Sequence, residues 1–406
     1  VHSLIFTKHP DPQWRWEWSA LQWLCLTLPL NAFFTAPLAV VLMLVFVAKH
    51  GFKYLQTPIN WGWLGFALIL GITTLTAEDR GTAVIGLLNF YPFLLLFAIA
   101  SVLLYTTRQQ AQILWLLILS LIPLSLFGLL QIILNQPEWK LPRLFNSYEV
   151  TLGMGYENRI TSLFGHPNEL ALYALLLLPV ALHFALGKVK SYRGCCQGMA
   201  AIAVALDVVM LIFAQARNTW GVGLVGVVLQ GIYYGYWWLV GGVTVLTAGA
   251  IGYASLYRIG RTSIEDFIAA NNLRLEIYNF CWQLIQQRPW QGWGLRSFLL
   301  LSDRFGFPYK FVVHEHNFFL AIALGSGIPA LLVFLGMLGW LITAGVRGTE
   351  DQELRPLVVI CSLCLVLFLL TGVYDTSHYE IRVFALFWLL ASVVGSQVIA
   401  QSFRLK

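Results

Sequence analysis

The sequence predicts an all-α polytopic membrane protein, with about twelve transmembrane helices and one large loop that carries a short amphipathic helix. Three observations predict it. Mean hydropathy is +0.73. Hydrophobic residues make up 58% of the chain and aromatic residues 15%, against only 11% charged, a balance outside the range of soluble domains. Apolar runs long enough for a hydrocarbon core of about 30 Å recur along all 406 residues, read here as a single membrane domain, 1–406.

The elements follow in order. Trp18 to Ala48 is too long for one crossing and contains Pro29 and Pro37, so it reads as two short helices. Spans are then expected at Trp61 to Thr76, Ala83 to Tyr105 and Gln110 to Leu134. After a polar outer loop, 135–167, come Glu169 to Leu186, Met199 to Gln215, Gly221 to Tyr234 and Trp237 to Ser255. The large loop, 257–316, leads to Asn317 to Thr343, Leu357 to Tyr374 and Arg382 to Ile399. An even count puts both termini on one side. No cleavable signal peptide is expected, because Val1 to Glu17 is polar and the apolar run after it leads on to further spans.

Charge placement orients this arrangement. One set of short connections holds Lys8, Arg15, Lys49, Lys53, Arg108, Lys188, Lys190, Arg193, Arg347, Arg355, Arg404 and Lys406. The opposite short turns hold Arg80, Arg217 and Arg382. The positive-inside rule then makes both termini cytoplasmic. Splitting the first apolar run keeps Lys8 and Arg15 on the side of Lys49 and Lys53. The two long outer loops are basic, with Lys140, Arg143 and Arg159 in the first and Arg258, Arg261, Arg274, Arg288, Arg296, Arg304 and Lys310 in the second. Long loops cross regardless of charge, so this basicity calls for a function. Within the second loop Phe267, Leu273, Ile277, Phe280 and Leu284 mark an amphipathic helix over 264–287 that lies as a lid. Pro289 and the Gly292-Trp293-Gly294 run end it.

Several functions are excluded or disfavoured. The net charge of +6 is scattered between loops, not gathered on one soluble face, so no nucleic-acid partner is expected. The six cysteines form no disulfide pattern, and the C-x-x-C of Cys361 and Cys364 lies in an apolar span without a βαβ setting. No internal repeat is visible, which weakens an inverted-repeat transporter.

Polar chemistry concentrates in a few places. Arg217 stands at a helix junction, where an unpaired guanidinium is costly unless it faces water or a ligand; the bland alternative is an arginine snorkelling to headgroups. Arg274 on the lid helix and Arg296 after it add planar forks that suit a diphosphate, although contact with lipid headgroups, or for Arg274 a salt bridge with Glu276 or Glu265, accounts for them equally simply. His314 and His316 offer imidazoles able to take a proton from a hydroxyl. Asn317 is placed to orient them. His-x-His also invites a metal, but no third ligand has suitable spacing; Glu315, His166 and His378 are only spatial possibilities. His166, in Gly165-His166-Pro167-Asn168-Glu169, and the turn bearing Asp375, His378, Glu380 and Arg382 either line the same cavity or are interfacial polar groups. Asp207 is a mid-span carboxylate with no partner evident in the sequence.

Over Gly165 to Ser392 the chain resembles the O-antigen ligase and polymerase superfamily of bacterial inner-membrane proteins. Arg217 matches the junction arginine of that family. Arg274 resembles the start of its R-x-x-x-W element, with Tyr278 at the tryptophan position. Pro289-Trp290-Gln291-Gly292-Trp293-Gly294 matches P-x-x-G-x-G, and His316-Asn317, nine residues, then Gly327 matches the closing motif. The resemblance implies a periplasmic glycosyltransferase in the inner membrane. Its donor would be a glycan linked to undecaprenyl diphosphate, and its acceptor lipid A-core sugar or a growing polysaccharide. Arg217 and Arg274 would hold the diphosphate, His316 would deprotonate the attacking hydroxyl, and Arg159, Arg296, His314, Asn317 and His166 would bind substrate. Neither metal nor cofactor is expected; membrane lipids are the remaining partners. Some relatives carry a bicarbonate-transporter label, so small-solute transport is the alternative. It would place charged or broken helices near the bilayer midplane, where Asp207 is the main candidate.

Overall fold

The computed structural model describes all residues except 1–5, 31, 141–150, 155–157, 246–263 and 405–406. Its helices are α1 (Arg15–Thr27), α2 (Ala32–His50), α3 (Pro58–Leu75), α4 (Arg80–Leu87), α5 (Tyr91–Leu103), α6 (Thr107–Leu134), α7 (Pro167–Ala185), α8 (Cys195–Ala214) and α9 (Arg217–Tyr234). After them come α10 (Ile264–Gln287), α11 (Phe298–Arg304), α12 (Phe318–Gly348), α13 (Arg355–Gly372) and α14 (Ile381–Arg404). Two short antiparallel strands, β1 (Gln136–Lys140) and β2 (Thr151–Leu152), sit in the first loop. The chain is an all-α polytopic membrane protein.

Among the described residues eight helical segments are long and apolar enough to cross a membrane. Other expected spans are helical but shorter or less apolar. The first apolar run divides into α1 and α2 beside Pro29, while Pro37 lies inside α2, and α1, at 13 residues, is about 20 Å long. The expected span at Trp237 to Ser255 is helical over 237–245, and its remainder lies outside the described residues, as do Arg143, Arg258, Arg261 and the start of the large loop.

Caps fix where the helices start. Thr57 and Asp79 accept from the backbone at the starts of α3 and α4, and Thr106 and Gln109 form a capping box on α6. At one end, called lower here, Asp351 contacts Thr107 and Lys190 pairs with Glu353. His9 packs on Tyr105 at the same level, and Gln401 lies against Gly348. The described chain ends therefore share the lower end. The main core cluster is centred on α14, where Phe384, Phe387 and Trp388 pack on Phe368, Phe97 and Trp63, and a second, smaller cluster lies under α10.

The upper end is shaped by a break in α12. Gly327 has φ 84° and ψ 166° inside what is otherwise continuous helix. Phe318 and Phe334 nevertheless have ring centroids 5.3 Å apart. Sixteen residues of straight helix would separate them by about 24 Å. The first segment, ending at Ser326, therefore folds sharply against the second, and Ser326 accepts a hydrogen bond from Thr73 on α3 at 3.1 Å.

The large loop clamps onto that break through backbone bonds. Trp293 N donates to Leu324 O at 2.8 Å, Gly294 N to Gly325 O at 2.8 Å, and Ile328 N to Pro289 O at 2.8 Å. A Cβ at Gly292 would stand 2.6 Å from the Gly325 carbonyl carbon, and one at Gly327 would overlap the Trp290 carbonyl oxygen. The two glycine motifs are thus one contact seen from both sides. The lid helix forms over the expected residues as α10, burying Ile277, Cys281, Leu284 and Ile285 beneath it, with Leu273 and Phe280 half-buried; the side chain of Phe267 lies outside the described residues.

Candidate active site

Polar side chains from five separated segments meet at the upper end. His314 and His316, just before α12, have ring centroids 4.0 Å apart and are half-buried. His316 holds φ at 48°, a left-handed conformation that costs a β-carbon residue of order 1 kcal/mol. Its surroundings hold it there. The Tyr278 hydroxyl, one turn after Arg274 on α10, is shared between the carbonyls of Val373 (2.7 Å) and His316 (3.1 Å). Asn317 donates to Val373 O at 3.0 Å, while its side-chain oxygen caps α12 by accepting from Phe319 and Leu320 at 2.9 Å. Asn317 therefore positions the helix start. A hydroxyl at position 278 serves this latch, which gives Tyr278 a physical role.

Asp375, in the turn before α14, completes the cluster. One atom each of His314, His316 and Asp375 lies within 4.8 Å of the others. A hydrogen-bonded chain runs outward from Asp375. Asn168 donates to its Oδ2 at 3.3 Å, and Arg159 donates to Asn168 Oδ1 and to Ala214 O, both at 2.7 Å. Ala214 closes α8, and Arg217, exposed, opens α9. Four of the six described non-glycine residues with positive φ stand at or beside these groups: Asn158, Gln215, Arg296 and His316. Backbone strain of this kind concentrates at functional sites.

Burial pushes the His316 imidazole down to about 4, and His314, Arg274 and His166 push the same way while Asp375 opposes them. Arg274 and His166 thus lie within electrostatic reach of His316. Burial also lowers His314, again against Asp375. Both imidazoles are neutral at pH 7, with lone pairs available. Burial raises Glu315 to about 7, although the Tyr379 hydroxyl donates to it at 3.2 Å and Arg296 favours its anion. Arg296, exposed, has φ 61° and lies 5.4 Å from the Tyr379 ring. His378 is buried among Phe90, Phe318 and Tyr379, and this pushes it down to about 3.

The predicted residues divide by position. His314, His316, Arg274 and His166 converge. Arg159 holds Asn168, and Arg217 opens the helix at the junction that Arg159 grips. Arg296 approaches through Tyr379 and Glu315, and Asn317 is a cap. His166 also caps α7, its Nδ1 accepting from Asn168 N at 3.1 Å. Arg382 is fully buried and bonded to Glu380 at 2.7 Å, Leu163 O at 2.8 Å and Pro29 O at 3.3 Å, so it ties three segments together. Asp207 is enclosed in α8, and neither carboxyl oxygen has a hydrogen-bond partner. The sequence reading found no third metal ligand near His-x-His; the fold supplies Asp375, brought from about sixty positions downstream. These three are the described residues that would hold a metal, although the charge of Arg274 beside them opposes a cation.

A bundle of membrane-length helices, with a loop carrying guanidiniums and imidazoles at one end, defines a multi-pass membrane protein with a polar side-chain cluster at its rim. Residues 198–335 match the family model described as O-Antigen ligase, which supports the O-antigen ligase superfamily for this chain and with it a membrane enzyme that transfers glycans. The matched third of the chain contains Arg217, Arg274, Arg296, His314, His316 and Asn317. No curated protein matches the chain.

Proposed function

We propose that this protein moves a glycan from an undecaprenyl-diphosphate donor to a hydroxyl of lipid A-core or of a growing polysaccharide. The reaction takes place at the periplasmic face of the bacterial inner membrane. The observation that carries the reading is the convergence of His316, Asp375 and Arg274 at one end of the bundle. The lower connections hold Lys49, Lys53, Arg108, Lys188, Lys190, Arg193, Arg347 and Arg355, which supports a cytoplasmic lower end and a periplasmic site.

In this mechanism Arg217 and Arg274 bind the donor diphosphate. The acceptor oxygen attacks the anomeric carbon, the bond from that carbon to the diphosphate breaks, and the acceptor proton passes to His316. Lipid diphosphate leaves with the bonding electrons, and the arginines stabilise the charge that develops on it. A base held near 4 is weak while the site is empty. Bound diphosphate offsets Arg274 and lifts His316 toward the range that suits a general base. Asp375, held by Asn168 and Arg159, fixes the imidazole and stabilises it once protonated.

The test compares wild type with His316→Ala and Arg217→Ala, at matched protein level in membranes carrying lipid-linked donor. Both variants are expected to lose product by at least about a hundredfold while donor accumulates. Full transfer by both would remove the mechanism and turn attention to solute uptake around Asp207.

A further inference from the structure

The lobe between α10 and α12 has its own small core, yet it presents large apolar side chains outward. In α11, Phe298 and Leu301 point in while Leu299 and Leu300 point out. Trp290 and Phe311 are 75% and 72% exposed, and Phe305 and Val313 are also exposed. Patches of this kind mark contact with a partner or a membrane.

The location of the patch identifies its occupant. On α3, Leu64, Leu68, Ile72 and Leu75 are all exposed and recur at spacings of four, four and three, one face of a helix. In a membrane span that face meets acyl chains. The lobe is pinned just past the end of this stripe: Arg304 pairs with Glu78, Glu78 N donates to Trp293 O at 3.4 Å, and Gly294 abuts Ala77. Val84 and Ile85 on neighbouring α4, and Leu88 just after it, are exposed as well. The apolar surface thus continues from a lipid-facing span onto the lobe. Two of the cations at its margin are already paired, Arg304 with Glu78 and Lys310 with Asp303 at 2.8 Å, which eases seating the lobe among headgroups. An exposed tryptophan at that level is the residue type enriched at the membrane–water boundary.

We propose that Trp290, Leu299, Leu300, Phe305, Phe311 and Val313 form a bilayer-contacting surface, seated at the headgroup–acyl boundary of the leaflet at the upper end. The large loop is then an interfacial lobe held by lipid, and the reaction site stands at the membrane surface and not above it. This inference is independent of the chemistry proposed for His316.

The test uses the full chain in nanodiscs of phosphatidylethanolamine and phosphatidylglycerol. Cys195, the exposed cysteine, is replaced by serine; the other five cysteines are buried. Single spin labels are placed through Leu299→Cys, Leu300→Cys and Phe311→Cys, with Glu353→Cys at the lower end as a water-exposed reference. Collision with oxygen is expected to exceed collision with a water-soluble nickel chelate at the three lobe positions, and the order is expected to reverse at Glu353. Strong nickel access at all three lobe positions would overturn the proposal by placing the patch in water. Low access to both reagents would overturn it in favour of a covering protein, such as a second copy. Thermal unfolding of each labelled protein identifies any label that disrupts the fold, and the remaining lobe positions then decide.

Discussion

Replacing Gly327 by alanine tests whether the broken helix organises the site. At φ 84° and ψ 166° the residue occupies a region open essentially to glycine alone, and forcing a β-carbon there costs about 1–3 kcal/mol. The same carbon would overlap the Trp290 carbonyl oxygen, and relieving the overlap costs roughly another 1–3 kcal/mol. A total of about 2–6 kcal/mol is expected, which the chain meets by straightening the helix, by undocking the loop, or by both. Either response moves His316 relative to Arg274, and a displacement near 1 Å lowers the rate about a hundredfold. Gly336→Ala is the control: it lies in the same helix with nothing within 4 Å of an added Cβ, and it is expected to gain up to about 1 kcal/mol in helix propensity. Thermal unfolding in detergent and glycan transfer in membranes read the two effects separately. If Gly327→Ala matches Gly336→Ala in both measurements, the role assigned to the break is wrong.

Three further outcomes follow from the site. Glu315 holds its proton more tightly folded than unfolded, so its ionisation lowers stability as pH rises from about 4.5 through about 7, by about 3 kcal/mol in full. Glu315→Gln keeps an acceptor for Tyr379, and is expected to unfold at a higher temperature than wild type at pH 8 and at the same temperature near pH 4; parallel curves across that range would remove buried ionisation as the cause. Asp375→Asn is expected to reduce transfer about 10- to 100-fold and to shift the acid limb of its pH profile downward, because the imidazole loses its supporting carboxylate; a chelator is expected to leave the wild-type rate unchanged, and loss of transfer on chelation with recovery on adding zinc would instead make His314, His316 and Asp375 a metal site.

Much of the architecture was legible because membranes simplify the reading. Apolar runs must be helices to satisfy their backbones in lipid, and Pro29 marks where the first run divides, although Pro37 stays inside α2. The lid helix was readable from period alone, since Ile277 and Leu284 face one core. The site was legible in part. Guanidiniums and imidazoles stand out against so apolar a background, but their partners are long-range. Asp375 and Asn168 stood in segments that read either as lining one cavity or as interfacial polar groups, and only the fold sets them beside each other and the histidines. Tyr278 read as a departure from a tryptophan position; its hydroxyl finds the Val373 carbonyl nearly a hundred residues away. The glycines were legible as motif positions and not as a contact, because nothing local shows that Gly292 and Gly327 approach one another's strands of chain.

The clamp at Pro289 to Gly294 also determines how the lid helix is able to move. Its far end is fastened to α12 by three backbone bonds, so any swing of α10 would turn about that point, against the Tyr278 hydrogen bonds and the buried face of the helix. Arg274 lies fifteen residues from Pro289, an arm of about 22 Å along helical backbone. A swing of about 10° on that arm carries its guanidinium about 4 Å, enough to make or release a phosphate contact. Such a swing would have to release the Tyr278 hydroxyl and also lift Ile277 and Cys281 from the core they share with α12.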